Sequence, residues 1–302
     1  MKKRFLILLA ALLLAGCTQA VPPPGTEETT PQTAVPETTV PQPPAETEPP
    51  RDVLREKLDA MTLEEKVGQM FLGRCRWETG AEDIEAYHLG GFVLFGRDFD
   101  DQTPESLRAR LDSYQNAANI PMLLAVDEEG GTVCRVSSHT AFREEKFPSP
   151  REAYASGGME MVLAMEWEKG YLLHSLGLNV NLAPVCDIAT DPGAFLYSRS
   201  LGADPITTGQ YVSATLERMA EYGVGGVMKH FPGYGENGDT HVASILDSRS
   251  LEELEEKDLI PFRAGIQTGL GAILVSHNRI AALDADAPAS LSPAVIGYLR
   301  DT

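Results

Sequence analysis

The sequence is poor in cysteine, with four residues among 302. Cys17 lies near the start, and Cys75, Cys134 and Cys186 each lie in or beside a mostly apolar, strand-like stretch. An odd number of cysteines in the main part of the chain argues against a disulfide framework, and their placement does not indicate a metal-binding set. We therefore expect these three residues to be buried for packing.

Basic residues are also scarce. Lysine and arginine number 25 against 44 aspartates and glutamates, which gives a formal net charge of −19 at pH 7. Affinity for nucleic acid depends on cationic side chains that meet phosphates. The charge balance therefore argues against a nucleic-acid partner.

Long hydrophobic runs are missing. The apolar run of residues 5–15 follows three basic residues and is too short for a permanent transmembrane helix, but it suits the core of a signal peptide. It leads through Leu14-Ala15-Gly16 into Cys17, which resembles the lipobox of bacterial lipoproteins. The resemblance implies that residues 1–17 are a lipoprotein signal peptide and that a lipid on Cys17 holds an extracytoplasmic protein at the cell membrane. An ordinary signal peptide with an incidental cysteine is the alternative.

Residues 18–50 lack lysine, arginine and most hydrophobic side chains. The segment holds 10 of the 21 prolines, with 8 threonines and 5 glutamates. Such a composition cannot offset the entropy of ordering, so it predicts a disordered, extended tether. Residues 51–302 are long enough for one sizeable domain and contain no internal repeat.

Within this domain, short apolar runs alternate with amphipathic segments. The runs are 67–73, 91–95, 122–126, 178–184, 223–228 and 271–276, and the main helix candidates are 104–118, 159–176, 205–222 and 250–268. Apolar strands that alternate with helices indicate a parallel sheet covered by helices, either a closed barrel or a doubly wound sheet.

Ionisable residues recur where these runs end. Asp127 closes the third run, Asp187 follows the fourth, Lys229-His230 the fifth and His277 the sixth. The carboxyl ends of barrel strands meet on one face, where such enzymes place their sites. The glycine-rich dinucleotide fingerprint of many doubly wound sheets is absent. We therefore predict a TIM-type (β/α)8 barrel of which about six β/α units are present.

The densest chemical segment is Lys229-His230-Phe231-Pro232-Gly233, followed by a glycine-rich loop with Asp239 and His241. A carboxylate two residues from a histidine can bond one imidazole nitrogen, fix the tautomer and favour the imidazolium. Such a pair is able to donate a proton near neutral pH. A surface Asp-x-His without a role and a metal site of His230, Asp239 and His241 are the alternatives.

This segment resembles the Lys-His-Phe-Pro-Gly signature and the Asp-x-His pair of glycoside hydrolase family 3, above all its bacterial β-N-acetylglucosaminidases. Further stretches resemble that family's signatures in the same order: 126–131 with Val133 and Arg135, 181–187, 198–202 and 288–293. The likeness runs from about Leu63 to the last residue. The family often has histidine where Tyr234 stands and serine where Thr240 stands, so the sequence departs from the pattern at two positions of this loop.

The resemblance implies a glycosidase that needs no metal or cofactor and removes terminal β-linked N-acetylglucosamine with retention. The likely substrates by this resemblance are peptidoglycan fragments or chitooligosaccharides. It implies that His241 is the acid/base and Asp239 its assistant. The residues implied to bind the sugar are Asp127, Arg135, Arg199, Lys229 and His230. Ion pairs of Asp127 with Arg135 and of Asp187 with Arg199 are the structural alternative, and the role of His277 stays open.

The nucleophile that the resemblance implies is an aspartate at the end of the next strand, beyond Thr302. Asp284 and Asp286 lie in a proline-flanked loop and are not chosen for this role. We therefore expect the chain to be part of a longer protein, with exposed first and sixth strands, and to be inactive alone.

Three other functions remain open at this stage. A family 3 β-glucosidase is disfavoured because those enzymes typically take their acid from another domain and lack the Asp-x-His loop. A catalytically inactive glycan-binding lipoprotein is the second alternative. Phosphorolysis in place of hydrolysis is the third, because a histidine does not repel phosphate as a carboxylate does.

Overall fold

The computed structural model describes residues 52–302. The predicted signal peptide 1–17, the lipidation site Cys17 and the tether 18–50 lie outside the described residues. Between residues 52 and 302, no helix combines the length and the hydrophobicity that crossing a bilayer requires.

Six parallel strands form the central sheet. They are β1 Leu72–Arg74, β2 Gly91–Leu94, β3 Leu123–Val126, β4 Val180–Asn181, β5 Gly225–Phe231 and β6 Ala272–Val275. Their order in the sheet is their order in the chain. A doubly wound sheet reverses its strand order at a switch point, whereas a barrel adds each strand beside the last. The order therefore confirms the barrel-type prediction and excludes the doubly wound one.

Helices follow the strands. They are α1 Val53–Ala60, α2 Leu63–Gly68, α3 Gly80–Tyr87, α4 Pro104–Ala117, α5 Pro150–Leu176, α6 Pro205–Ala220, α7 Leu251–Glu253, α8 Leu259–Gln267 and α9 Pro293–Asp301, with a π turn Leu254–Asp258 between α7 and α8. Short 3-10 turns cover Gly96–Phe99 and Ala289–Leu291. Minor strand pairs are Glu128–Gly130 with Val133–Cys134, and Leu246–Asp247 with Arg279–Ile280.

Four helices begin with the same local code. A capping side chain at Thr103, Ser149, Asp204 or Ser292 accepts a bond from the first turn, and proline occupies the next position. Proline fits there because the first helical N–H has no partner to lose. These caps explain why the predicted starts at 104 and 205 agree with the structure.

Two predicted bounds were wrong. The first apolar run, 67–73, is divided between the end of α2 and the strand β1, because Thr62 and Glu65 form a capping box that starts a helix upstream. The helix predicted over 159–176 begins at Pro150, and non-helical backbone at Gly157 and Gly158 separates its two parts.

The core lies against the inner strands. Phe92, Leu94, Leu124 and Val126 are fully buried, whereas Leu72 and Leu123 are exposed. In the described part of the chain β1 and β6 each pair with one neighbour, and β1 is largely exposed, as predicted for the first strand. The three cysteines of this part are free and buried, which confirms their packing role.

Candidate active site

A cavity of about 370 Å³ opens at the carboxyl ends of the strands. Six of the seven residues predicted to act in this domain line it: Asp127, Arg135, Arg199, Lys229, His230 and His241. The seventh, Asp239, contacts His241. The sheet thus brings together side chains from loops after β2, β3 and β5, as expected for the active face of a barrel.

Lys229 and His230 are neighbours in β5, yet both line the cavity. Successive side chains of a regular strand point to opposite faces. The register between β5 and β6 shifts between Lys229 and Phe231, and a local irregularity of this kind re-aims side chains. The irregular strand end is what allows two adjacent residues to serve one site.

Lys229 joins two carboxylates at the wall of the cavity. Its Nζ lies 2.7 Å from Asp127 Oδ1 and 2.5 Å from Glu129 Oε1, and the lysine side chain is 3% exposed. A buried ammonium is stable only when it is paired. Asp127, which is less buried than Glu129, keeps part of its carboxylate towards solvent.

Glu129 is the centre of this arrangement. It accepts from Arg199 Nε at 2.9 Å and Arg199 Nη2 at 2.7 Å, in addition to Lys229. Burial alone would raise the pKa of Glu129, but the two cations outweigh burial and lower it to about 2. We call Asp127, Glu129, Asp187, Arg199, Lys229 and His230 the charged cluster.

Asp187 completes the cluster from below. Its carboxylate lies 2.7 Å from His230 Nδ1 and accepts the backbone N–H groups of His230 and Tyr234. The second ring nitrogen of His230 lies 3.3 Å from Arg199 Nη2. The carboxylate therefore fixes the orientation of the imidazole that lines the cavity.

The structural ion pairs considered from sequence were wrong in their partners. Asp127 pairs with Lys229, and Asp187 pairs with His230. Arg199 pairs with Glu129. These partners are far apart in sequence, and the strand ends bring them together.

Arg135 is held in place by its backbone. Buried Glu128 accepts the N–H groups of Arg135, Val136 and Ser137, as well as the Ser137 hydroxyl. No carboxylate of residues 52–302 pairs with the Arg135 side chain, and its buried Nε has no hydrogen-bond partner there. The loop thus presents a guanidinium to the cavity.

Asp239 and His241 lie in the loop of residues 232–245. Asp239 Oδ1 is 2.6 Å from His241 Nδ1 and accepts the His241 backbone N–H at 2.8 Å. Hydrogen bonds from His241 lower the pKa of Asp239, so this carboxylate stays ionised. The His241 side chain is 80% exposed at the mouth of the cavity.

The two residues of this loop that depart from the family pattern contact each other. Tyr234 is buried, and its hydroxyl lies 2.5 Å from Thr240 Oγ1. Phe195 packs between Tyr234 and His241, at ring distances of 5.8 and 6.4 Å. The departures therefore form one internal contact beside His241.

The arrangement does not favour the metal alternative. His230 and His241 each direct Nδ1 to a different carboxylate. Over residues 52–302 no three histidine, cysteine or acidic side chains are grouped so that they could hold a metal ion.

Residues 62–302 match the N-terminal domain of glycosyl hydrolase family 3. The chain belongs to this family. The match confirms the family prediction that was made from the ordered motifs.

Relatives of this family 3 chain support the assignment. It is 29% identical over 306 residues to the β-hexosaminidase LpqI of Mycobacterium tuberculosis, covering 98% of this chain and 74% of the relative. It is 34% identical over 233 residues to a β-hexosaminidase of Tolumonas auensis, covering 75% and 67%. A solved β-N-acetylglucosaminidase of family 3 from Paenibacillus superposes with a TM-score of 0.71 at 29% identity, covering 80% of this chain and 47% of that one.

Sequence reasoning missed Glu128 and Glu129 as site residues. Both belong to the Asp127-Glu128-Glu129-Gly130-Gly131 motif, but the motif alone does not say which carboxylates turn inward. Their almost complete burial identifies Glu128 as the support of the 135–137 backbone and Glu129 as the partner of two cations.

His277 and Asp284 are now placed. His277 lines the cavity and bonds Ser290 through Nδ1 at 2.5 Å. Asp284 accepts the N–H groups of Asp286 and Ala287 and the Ser292 hydroxyl, so its carboxylate organises its own loop. Asp127 is the one carboxylate that lines the cavity among the described residues.

Proposed function

We propose that this family 3 domain acts in the retaining hydrolysis of terminal β-linked N-acetylglucosamine, with His241 as the acid/base and Asp239 as its assistant. The contact between Asp239 and His241 at the mouth of the cavity carries the proposal. Peptidoglycan fragments or chitooligosaccharides are the proposed substrates.

The geometry suits proton transfer to a leaving group. Asp239 binds Nδ1 of His241, and Nε2 has no partner among residues 52–302. The carboxylate stabilises the imidazolium from which a proton is donated to the glycosidic oxygen. When water attacks in the second half of the reaction, the same nitrogen takes the proton back.

The charged cluster supplies the other half of the proposal. Asp127 can accept hydrogen bonds from two sugar hydroxyls, while Lys229 and His230 donate to hydroxyl or acetamido oxygens. Arg135 and Arg199 add planar guanidinium donors. Because Glu129 and Asp187 hold these donors in place before a sugar arrives, little ordering remains to be done on binding.

A retaining reaction also requires a nucleophilic carboxylate opposite the acid. Asp127 is committed to Lys229, so we do not assign it this role. We expect the nucleophile to come from sequence outside residues 52–302, as the family resemblance implies.

A comparison of two aryl glycosides in the natural full-length protein tests the function. We expect release of the aryl group from a β-N-acetylglucosaminide and much slower release from a β-glucoside. Replacing water by phosphate as acceptor separates hydrolysis from phosphorolysis. Faster cleavage of the glucoside would favour the β-glucosidase alternative, and sugar binding without cleavage would favour a glycan-binding lipoprotein.

Anchoring to the membrane is a separate part of the proposal. It rests on the basic start, the apolar run of residues 5–15 and Cys17 at its end. Cys17→Ser is expected to move the protein from the membrane fraction to the soluble fraction, because it removes the thiol that a lipid would modify. Unchanged retention in the membrane would contradict this part alone.

A further inference from the structure

A second pocket of about 390 Å³ adjoins the cavity and is lined by Arg74, Phe95, Gly96, Arg97 and Arg135. Phe95 and Arg135 also line the cavity itself, so the two spaces share a wall. Three of the five lining residues are arginines, in a protein whose formal net charge is −19. The concentration of positive charge at this place needs a physical reason.

These arginines differ from most others in the described chain. Arginines such as Arg76, Arg199 and Arg249 form short ion pairs with carboxylates. Within residues 52–302, by contrast, no carboxylate lies within salt-bridge distance of Arg74, Arg97 or Arg135.

The surroundings of the pocket explain its shape but do not neutralise it. Arg74 stacks over the Phe95 ring at 5.4 Å. Asp98 is nearby but buried, and it spends its carboxylate on the Phe95 backbone N–H at 2.7 Å. The buried Nε of Arg135 remains a donor without a protein acceptor. A donor in this state is stabilised when a ligand brings an acceptor.

We propose that this arginine pocket binds a carboxylate carried by the glycan unit next to the sugar in the cavity. The inference rests on the proposed function, because it assumes a sugar bound beside Asp127 and Lys229. Guanidinium groups match the planar geometry of a carboxylate and bind it through two hydrogen bonds. The enzyme would thereby distinguish acidic glycans from neutral glycans of the same length.

Two disaccharides test the proposal because they differ by one acidic substituent. N-acetylglucosaminyl-β-1,4-N-acetylmuramic acid equals diacetylchitobiose with a lactyl ether, and hence one carboxylate, on the second sugar. In the natural full-length protein we expect a higher kcat/KM for the acidic disaccharide, with a preference that declines as salt screens the charges.

Arg74→Gln and Arg97→Gln should each lower the ratio of acidic to neutral kcat/KM by about three- to tenfold, a reduced effect for exposed charges. Arg300→Gln removes an equally exposed, unpaired arginine on α9 and should leave the ratio unchanged. A ratio that stays constant in both pocket variants overturns the proposal. So does an equal loss on both substrates, because that result indicates a structural role.

A binding experiment keeps this result separate from the proposed function. Dissociation constants of the two disaccharides are measured by calorimetry in the His241→Ala background, with and without Arg74→Gln. If neither disaccharide is cleaved by the natural protein, the proposed function fails, while the ratio of dissociation constants still decides the pocket. Equal affinities that do not respond to Arg74→Gln would refute the pocket even in an active enzyme.

Discussion

Lys229 and Glu129 are 3% and 1% exposed, whereas His241, at the mouth of the same cavity, is 80% exposed. The charged cluster stands at strand ends and is held by ion pairs between distant parts of the chain. His241 belongs to the 232–245 loop and is held by a carboxylate two residues away. The comparison indicates that sugar recognition is fixed by the barrel, while the acid/base depends on local contacts in one loop.

If the cluster is part of the folded framework, the largest effect belongs to Glu129→Gln. It leaves Arg199 and Lys229 buried beside a neutral amide, and breaking a buried pair costs about 3–5 kcal/mol. We expect a clear drop in the free energy of unfolding together with loss of sugar binding. Glu168→Gln breaks an exposed pair with Arg143 and should cost less than about 1 kcal/mol.

The same glutamate makes a prediction about acid. Its pKa is about 2 in the folded protein against an ordinary value of 4.5, so its stabilising contribution is complete above about pH 4.5. That contribution is lost as the pH falls from 4.5 towards 2. In unfolding curves measured across this window, Glu129→Gln should narrow the pH dependence relative to the natural protein; parallel curves would contradict the assignment.

His241→Ala should separate activity from stability. General acid catalysis contributes about 10²–10⁴-fold, so cleavage of a sugar leaving group should fall by that order. The loss should be much smaller for a dinitrophenyl leaving group, which needs no proton. Because the side chain is exposed, the melting temperature should hardly change. His174→Ala, an exposed histidine on α5, is the matched control, and equal losses on both leaving groups would contradict the acid role.

The sequence allowed the barrel, the strand ends and the Asp239–His241 pair to be predicted, because each depends on local order along the chain. Caps such as Thr103 and Asp204 even set the helix starts. The pairing inside the cluster was not predictable in this way. Lys229 has two carboxylates within reach, and only the irregular end of β5 and the burial of Glu129 decide how the charges are shared.

The smallest expected effect comes from the contact between Tyr234 and Thr240. The hydroxyl–hydroxyl bond of 2.5 Å joins the start of the 232–245 loop to the residue between Asp239 and His241. If the loop depends on such local contacts, Tyr234→Phe and Thr240→Val should each lower kcat about fivefold, the equivalent of one hydrogen bond of about 1 kcal/mol. Thr240→Ser keeps the hydroxyl and should retain most of the activity.

A double-mutant cycle isolates this contact from other consequences of the two changes. Once Tyr234→Phe has removed one hydroxyl, Thr240→Val has no bond left to break, so the double variant should be little worse than either single variant. Independent, multiplying losses would mean that the two side chains act separately. In that case the loop is positioned by the packing of Phe195 against Tyr234 and His241, and Phe195→Leu should then lower kcat more than either hydroxyl deletion.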